Sequence, residues 1–327
     1  MEQDVLTTII ICTYNRSMFL ERLLKELAAQ KADFCFDILV VDNNSSDATR
    51  DVVGTVRKET QVAITYCLEK QQGIAYARNR GAYEACGKYI AYIDDDALPG
   101  PEWLTQIVQV FTTVQPSPAC VVGKVELAWE GARRKQFPVE YETIVGKYDF
   151  GNEPCYLGAD DYLITVNAAF HKEFFLRTGG FRTYLGRKGT CLLSGEDNDM
   201  YHRLYASGAK IYYNPKQIVY HVVPQERQRL TWLAKRIFWD GVTEVYLDFG
   251  NECTDNIALF KKALYDMRCS LWYSGKGLFY AIVNGKKAAV NFLESIRAIG
   301  RAITEIRMLI VQNRASPKEK NSSKKIF

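Results

Sequence analysis

The sequence lacks several features that would place it in a familiar class of protein. It has no apolar run long enough to cross a bilayer, which argues against an integral membrane protein. Its nine cysteines are an odd number and form no C-x-x-C pair, so we expect free thiols in a reducing compartment rather than a disulfide framework. The phosphate-binding patterns G-x-G-x-x-G and G-x-x-x-x-G-K-[ST] are also missing, which argues against a dinucleotide-dependent dehydrogenase and a P-loop NTPase.

The N-terminal segment MEQDVLTTIIIC carries acidic residues and has no basic region of the kind that opens a signal peptide. We therefore expect a cytoplasmic protein. Apolar residues make up 47% of the 327 residues, which is enough for the core of one large α/β domain, with or without an extension.

Charge is distributed unevenly along the chain. Residues 257–327 hold 14 lysines and arginines against 4 acidic residues, whereas residues 1–256 hold 28 against 34. The acidic body is suited to holding metal ions, and the basic C-terminal part is suited to an anionic surface. A nucleic acid is the competing partner for the basic part, although we predict that the protein binds none.

The first half of the sequence alternates short β-rich apolar runs with helical patterns. Alternation of this kind predicts an α/β fold, with a mixed, mostly parallel sheet flanked by helices. The predicted strands are residues 6–12, 36–41, 62–67, 88–93, 119–127, 162–167 and 210–214. Helices are predicted from Ser17, over 74–85, near Pro101, over 173–177 and 197–207, and from Leu230 onward.

Polar side chains follow three of the predicted strands, at the edge where open α/β sheets bind their ligands. Turns and helix caps explain any one of these segments equally well, because Asn, Asp and Ser favour both. Three such strand ends at one edge favour a ligand site. The residues are Thr13, Tyr14, Asn15 and Arg16 after the first strand, Asp42 and Asn44 after the second, and Asp94, Asp95 and Asp96 after the fourth.

The three adjacent aspartates are the most informative of these segments. Carboxylates so close repel one another, and holding them in a partly buried turn costs stability. A divalent cation, Mn²⁺ or Mg²⁺, that bridges a carboxylate to diphosphate oxygens would offset this repulsion and stabilise a departing nucleotide diphosphate. A solvated acidic turn that caps the next helix is the alternative. His221, after the apolar run 218–220, is a further candidate metal ligand, although a lone histidine is usually structural.

Two helix starts also carry candidate functional groups. Gly73 opens the pattern GIAYARNRG, in which Arg78 and Asn79 could reach a diphosphate or a base. Glu196 and Asp197 open another helix, where a carboxylate is stabilised as the anion and can act as a general base toward an acceptor hydroxyl. Simple helix capping is the alternative for these acids.

The order of these motifs resembles that of the family 2 glycosyltransferases. The motifs are TTIIICTYNR, ILVVDNNSSD, GIAYARNRG, YIDDDALPGPEWL, VNAAF, GEDNDMYHRL and HVVPQERQR, and they cover roughly residues 5–240. The resemblance implies a GT-A fold, inversion of the anomeric centre, a divalent metal, and a nucleotide-diphosphate sugar donor, with UDP as the expected nucleotide.

The resemblance also implies roles for individual residues. Asp96 matches the metal ligand of the D-x-D motif, and His221 matches a histidine found after the last core strand in many members. Asp197 matches the catalytic base, with Glu196 as its partner on the acceptor side. The positions that match nucleotide-sugar-binding segments are Thr13, Tyr14, Asn15, Arg16, Asp42, Asn44, Gly73, Arg78, Asn79, Asp94 and Asp95.

The implied reaction transfers a sugar to an acceptor hydroxyl, on a saccharide or lipid-linked acceptor of surface polysaccharide or glycoconjugate synthesis. We expect residues 1–125 to bind the donor, 126–250 the acceptor, 251–315 to form a basic helical extension and 316–327 a disordered tail. A nucleotidyltransferase is one alternative, but it would usually show a glycine-rich basic loop near its N-terminus. A non-catalytic nucleotide-sugar-binding relative is another, and it would be expected to lose Asp96 or Asp197.

The C-terminal extension contains an apolar stripe at helical spacing. A basic amphipathic helix with a polybasic end suits an anionic leaflet, and would place the protein on the cytoplasmic face of a membrane. Packing on the same domain, or on a second copy in a homodimer, is an equally good interpretation. The stripe comprises Ala289, Phe292, Leu293, Ile296, Ile299, Ile303, Ile306 and Ile310, and the basic residues are Arg297, Arg301, Arg307, Arg314, Lys318, Lys320, Lys324 and Lys325.

Overall fold

The computed structural model describes residues 5–250 and 255–314. These residues group into two compact units. The first is formed by the described residues up to Glu130, by Val145–Thr183 and by Glu196–Val223, and the second by Gly131–Ile144, Tyr184–Gly195 and the described residues from Pro224 on. The predicted donor-binding part, residues 1–125, and acceptor-binding part, residues 126–250, are defined by the ligands that they bind and not by packing. That division stays a prediction.

The described part of the chain contains nine strands and nine α-helices. The strands are β1 (Thr7–Thr13), β2 (Phe36–Asp42), β3 (Ala63–Leu68), β4 (Tyr89–Ile93), β5 (Ala97–Pro99), β6 (Cys120–Trp129), β7 (Cys155–Tyr156), β8 (Asn167–His171) and β9 (Ile211–Val223). The helices are α1 (Ser17–Ala28), α2 (Thr49–Glu59), α3 (Ile74–Glu84), α4 (Trp103–Thr113), α5 (Lys172–Arg177), α6 (Glu196–Ala206), α7 (Leu230–Phe249), α8 (Asn256–Val283) and α9 (Gly285–Arg314).

All nine strands belong to one mixed sheet in the first unit, in the order β3-β2-β1-β4-β8-β6-β9-β5, with β7 also paired to β9. The pairs β3–β2, β2–β1, β1–β4 and β6–β9 are parallel, and β8 runs antiparallel between β4 and β6. The prediction of a mostly parallel sheet flanked by helices, with a helical C-terminal region, is confirmed. Because β1, β2 and β4 are parallel neighbours, their carboxyl ends meet at one edge of the sheet.

Two glycines determine how α3 packs on the sheet and how the chain turns into it. A Cβ atom on Gly81 would lie 2.5 Å from Cγ2 of Ile10, so only glycine lets α3 approach β1 this closely. Gly73, at the start of α3, has φ 141°, a conformation that L side chains rarely adopt. The predicted Gly73 is therefore a backbone requirement of the turn into α3.

A buried hydrogen-bond network holds the antiparallel part of the sheet together. Trp103 Nε1 donates to Oδ1 of Asn167 over 2.7 Å, and Asn167 Nδ2 donates to the carbonyl oxygens of Gln217 and Lys124 over 2.7 and 2.9 Å. One amide thereby ties β8 to α4, β9 and β6. The strand predicted over residues 162–167 is wrong, because β8 begins only at Asn167 and the two residues before it form a turn.

The second unit contains the helices α7, α8 and α9. Its buried apolar cluster consists of Leu185, Leu193, Val242, Val245, Tyr246, Leu259 and Met308. Within the described ranges, no helix combines the length and the hydrophobicity that crossing a membrane requires.

The predicted apolar stripe of α9 is divided between two environments. Leu293 is 4% exposed, whereas Ile299, Ile303 and Ile310 are 40%, 51% and 46% exposed. The membrane-binding prediction therefore stays a prediction. The basic positions Lys318, Lys320, Lys324 and Lys325 and the predicted disordered tail lie outside the described residues.

Candidate active site

The carboxyl ends of β1 and β4 are joined by hydrogen bonds and ion pairs. Thr13 Oγ1 donates to Oδ2 of Asp95 over 2.8 Å, at a site where both residues are buried. One guanidinium nitrogen of Arg16 lies 2.8 Å from Asp95 and 2.7 Å from Asp96. Burial raises the pKa of Asp95 to about 6, although the neighbouring Arg16 lowers it. The structure thus brings four of the predicted site residues together at this edge.

Arg78 on α3 connects this edge to the start of α6. Its side chain is buried, and its guanidinium lies 2.7 Å from Glu196 Oε1, 3.1 Å from Asp197 Oδ1 and 3.4 Å from Asp94 Oδ1. A planar guanidinium that contacts three carboxylates has few orientations available to it. Arg78 therefore fixes the position of two catalytic candidates relative to the aspartate cluster.

The carboxylate of Asp197 is also held from the turn before β8. The Thr165 backbone N–H donates to Asp197 Oδ2 over 3.1 Å, and the Thr165 hydroxyl donates to Oδ1 over 3.0 Å. Burial raises the pKa of Asp197 to about 7, despite the opposing effect of Arg78. A carboxyl group with this pKa is suited to accept a proton near neutral pH. Sequence reasoning missed Thr165, which lay inside a predicted strand and carried no motif of its own.

Three predicted residues form a set of possible metal ligands. Donor atoms of Asp94, Asp96 and His221 all lie within 4.8 Å of one another, and His221 Nε2 is 3.1 Å from Asp96 Oδ1. The antiparallel pairing of β9 with β5 places His221 opposite Ala97, next to the aspartates. Two carboxylates and one imidazole suit Mn²⁺, which accepts both oxygen and nitrogen ligands. The residues present therefore fit a divalent metal.

The balance of charge favours a cation in the same place. Five carboxyl groups, those of Asp94, Asp95, Asp96, Glu196 and Asp197, face the guanidinium groups of Arg16 and Arg78. Glu196 is 6% exposed, and its Oε2 has no hydrogen-bond partner among the described residues. A diphosphate would add further negative charge, and a cation would offset the excess.

The loops after β1 and β2 hold each other in place. The Asn15 amide oxygen accepts from the backbone N–H of Ser46, and the backbone N–H of Asn15 donates to Ser45 Oγ. Asn15 and Asn44 both adopt positive φ, 53° and 66°, which asparagine tolerates better than most residues. Asn15 and Asn44 thus shape these loops. Tyr14 is 41% exposed at the same edge.

The carboxylate of Asp42 is engaged within the protein. Asp42 is buried and accepts from the backbone N–H of Ser45 over 2.8 Å and from the hydroxyl of Tyr66 over 2.7 Å. Its neighbour Asn43, which sequence reasoning passed over, accepts from the backbone N–H of Gly73 and donates to the carbonyl of Gln71. Asn43 thereby joins the loop after β2 to the turn into α3.

The side-chain amide of Asn79 is hydrogen-bonded to the backbone of Phe181 and not to the aspartates. Its Oδ1 accepts from the backbone N–H of Phe181, and its Nδ2 donates to the carbonyl oxygen of Phe181, both over 2.8 Å. The ring of Phe181 in turn lies under the guanidinium of Arg78, 5.6 Å away. This geometry supports a structural part for Asn79, and its contact with the donor stays a prediction.

Thr165 gives the first testable consequence of this geometry. We expect Thr165→Val to lower turnover about tenfold, because it removes a hydrogen bond that orients the Asp197 carboxylate. The acid limb of the pH profile should move to higher pH, since losing a donor destabilises the carboxylate. Thr165→Ser keeps the hydroxyl and is the matched control. Equal turnover and equal pH profiles for the Val and Ser variants would show that the hydroxyl does not act on Asp197.

The sequence also matches a known protein family. The model of the family "Glycosyl transferase family 2" matches residues 8–176. The chain belongs to this family. The matched segment includes β1 from its second residue on, together with β2, α3, β4 and β8, and hence the aspartate cluster, Arg78 and Thr165.

Two relatives match most of this chain and most of their own length. The chain is 28% identical over 247 residues to the glucosyl-dolichyl phosphate glucuronosyltransferase of Haloferax volcanii, covering 74% of this chain and 77% of that protein. It is 28% identical over 237 residues to the succinoglycan biosynthesis protein ExoM of Rhizobium meliloti, covering 71% and 72%. The protein is a glycosyltransferase.

Solved structures show the same fold. The mannosyltransferase PcManGT from Pyrobaculum calidifontis, determined in complex with GDP-Man and Mn²⁺, matches with a TM-score of 0.61 and 19% identity, over 94% of this chain and 90% of that one. At this identity the likeness establishes the GT-A fold alone.

Proposed function

We propose that the protein is an inverting, metal-dependent glycosyltransferase that moves a sugar from a nucleotide-diphosphate sugar, with UDP as the nucleotide, to an acceptor hydroxyl. One observation carries the proposal. Arg78 links Asp197, whose pKa is raised to about 7, to Asp94, which belongs to the metal-ligand set. A base and a cation site in one cluster are what transfer from a diphosphate donor requires.

On the donor side, we assign the nucleoside to the edge formed by Thr13, Arg16 and Asp42. Arg16 is partly exposed and shares one nitrogen between Asp95 and Asp96, so it can exchange these contacts for a diphosphate oxygen. Asp94, Asp96 and His221 would hold the divalent cation. When bound, the cation supplies Lewis-acid stabilisation of charge on the departing diphosphate.

On the acceptor side, we assign the general base to Asp197. The acceptor hydroxyl gives its proton to Asp197, its oxygen forms the new bond to the anomeric carbon, and the bond from that carbon to the diphosphate oxygen breaks. Attack and departure on opposite faces invert the anomeric centre, and no covalent enzyme intermediate is needed. Arg78 and Thr165 hold the carboxylate for this step, and Glu196 lies beside it for contact with the acceptor.

The pH dependence follows from the raised pKa of Asp197. The base must be ionised to accept a proton, so we expect turnover to fall as pH drops through about 7. Arg78, Glu196 and Asp94 are the charged groups that surround it. The measurement is turnover at saturating substrates between pH 5 and 9, where the slope on the acid side should approach one tenfold change per pH unit. A profile flat down to pH 5 would contradict this assignment.

We further propose that the acceptor is lipid-linked and that the protein works at the cytoplasmic face of a membrane. The name of the Haloferax volcanii relative specifies a glucosyl-dolichyl phosphate, which is a sugar on a lipid. The excess of basic over acidic residues in 257–327 supports binding to an anionic membrane surface. We also propose that residues 1–125 bind the donor and 126–250 the acceptor.

A donor panel tests the choice of nucleotide. Purified protein with Mn²⁺ is offered UDP-, GDP- and dTDP-sugars, and the release of nucleoside diphosphate is measured. We expect release from UDP-sugars and little from the other two classes. A clear preference for GDP-sugars would overturn the choice of UDP and leave the class of reaction standing.

A further inference from the structure

We propose that the outward face of α8, together with exposed isoleucines of α9, docks on an anionic lipid leaflet. This proposal rests on the membrane association proposed above, and the surface includes no residue of the donor site. It also differs from the sequence prediction, which placed the contact on the stripe of α9 alone.

The helix α8 carries its bulky apolar side chains outward and its small or polar ones inward. After Leu259, its buried positions include Ala263, Asp266, Ser270 and Gly277. An amphipathic helix that faces water has the opposite arrangement. The exposed side chains are Ile257, Phe260, Leu264, Tyr265, Met267, Leu271, Trp272, Leu278, Phe279 and Ile282.

Besides the buried apolar cluster described above, some contacts between α7, α8 and α9 are made by small residues. Ser295 of α9 bonds to Ser270 and Ser274 of α8 over 2.9 and 2.8 Å. A Cβ atom on Gly241 of α7 would lie 2.2 Å from the carbonyl oxygen of Arg297 on α9, so these two helices touch through their backbones. Helices that pack through small and polar residues, with bulky apolar residues outside, are typical of an apolar surrounding medium.

The charged side chains of α8 and α9 are also sorted by sign: the acidic ones are buried or half-buried, and the exposed ones are basic. Arg301 lies 3.1 Å from Asp266 inside the group, and Glu305 is fully buried. On the described parts of the two helices, all three acidic residues, including Glu294, are buried or half-buried. The exposed charged side chains there are all basic: Lys261, Arg268, Lys276, Lys286, Lys287 and Arg307.

This charge pattern favours a leaflet over a second copy of the chain. In a symmetric dimer the same patch meets itself, so these exposed cations would face a patch that carries the same cations and, on the described parts of α8 and α9, no exposed acidic side chain. An anionic leaflet pairs them with phosphate and accepts the apolar side chains between them. Two aromatic rings lie next to cations, Trp272 at 4.8 Å from Lys276 and Tyr280 at 5.5 Å from Lys287, as suits the boundary between headgroups and acyl chains.

Vesicle sedimentation of the full chain tests the proposal. At low salt, the protein should sediment with vesicles that contain phosphatidylglycerol, should do so less with phosphatidylcholine alone, and should be released as salt rises. The double variant Leu271→Ser/Phe279→Ser should lower the partition coefficient about tenfold or more, because both side chains are exposed in water and buried in the leaflet.

A matched variant controls for the loss of apolar surface. Met18→Ser/Tyr83→Ser removes two side chains that are 85% and 74% exposed elsewhere, against 74% and 67% for Leu271 and Phe279, and it should bind like the original protein. Brominated lipids should quench tryptophan fluorescence in the original protein, and much less in Trp272→Phe.

Three other outcomes would contradict the docking surface, the membrane association or both. Equal binding by both double variants would show that α8 is not the surface, although the membrane association would stand. No binding by the original protein would remove both. A concentration-dependent dimer in sedimentation velocity, disrupted by Leu271→Ser/Phe279→Ser, would assign the face to a second copy. Transfer of the sugar to a water-soluble acceptor, measured as release of nucleoside diphosphate by the same preparations, tests the transferase separately.

Discussion

Asp96→Asn should lower turnover by roughly 100-fold or more, because it removes a carboxylate from the metal-ligand set. The side chain is buried and lies between Arg16 and His221, so an amide of the same size keeps the shape and loses the charge. We also expect weaker Mn²⁺ binding in a calorimetric titration. The two readouts together separate loss of the metal from general damage.

Asp149→Asn is the matched control for this variant. Asp149 also belongs to the first unit and pairs with a cation, Lys124, over 3.1 Å, but it lies outside the ligand set. It should keep both turnover and Mn²⁺ affinity. Unchanged Mn²⁺ affinity in Asp96→Asn would remove Asp96 from the metal site, whatever its turnover.

Asp197→Asn should lower turnover by about 10²–10⁴-fold, which is the usual contribution of a general base. The amide keeps the contacts to Thr165 in part but cannot accept the proton of the acceptor. Because the lost interaction acts mainly in the transition state, the affinity for the donor should change little. Turnover by rapid quench and donor affinity by titration are the two measurements.

Asp199→Asn provides the comparison within the same helix turn. Asp199 is also an acid in the first turn of α6, and it pairs with Arg203 over 2.6 Å. Both substitutions remove one negative charge from the N-terminus of α6, so a capping effect would appear in both. Similar losses in the two variants would reduce Asp197 to a capping residue, whereas a loss of donor affinity in Asp197→Asn alone would make it a binding residue.

The sequence predicted the part of the site that depends on the sheet. Apolar runs followed by polar residues predicted where β1, β2 and β4 end, and parallel pairing then brings Thr13, Arg16 and the aspartates together. His221 was also a candidate, because it follows an apolar run that becomes part of β9. In these segments the local pattern and the tertiary structure agree.

Other parts of the site depend on contacts between distant residues. Thr165 reaches Asp197 across 32 positions, and the Asn79 amide binds the backbone of Phe181 across 102 positions. No local pattern specifies such partners. The outward face of α8 was missed for a related reason: helical spacing shows which residues share a face, but not which face is buried.

The product that leaves the donor is the most direct evidence for glycosyl transfer. The purified protein is incubated with a UDP-sugar and an acceptor, first in excess EDTA and then with Mn²⁺ restored, and the nucleotide products are separated by chromatography. We expect UDP to form only with Mn²⁺ present, in equal amount to the glycosylated acceptor. Full activity in EDTA would contradict the metal-dependent mechanism, and release of pyrophosphate or of UMP would contradict glycosyl transfer from a nucleotide-diphosphate sugar.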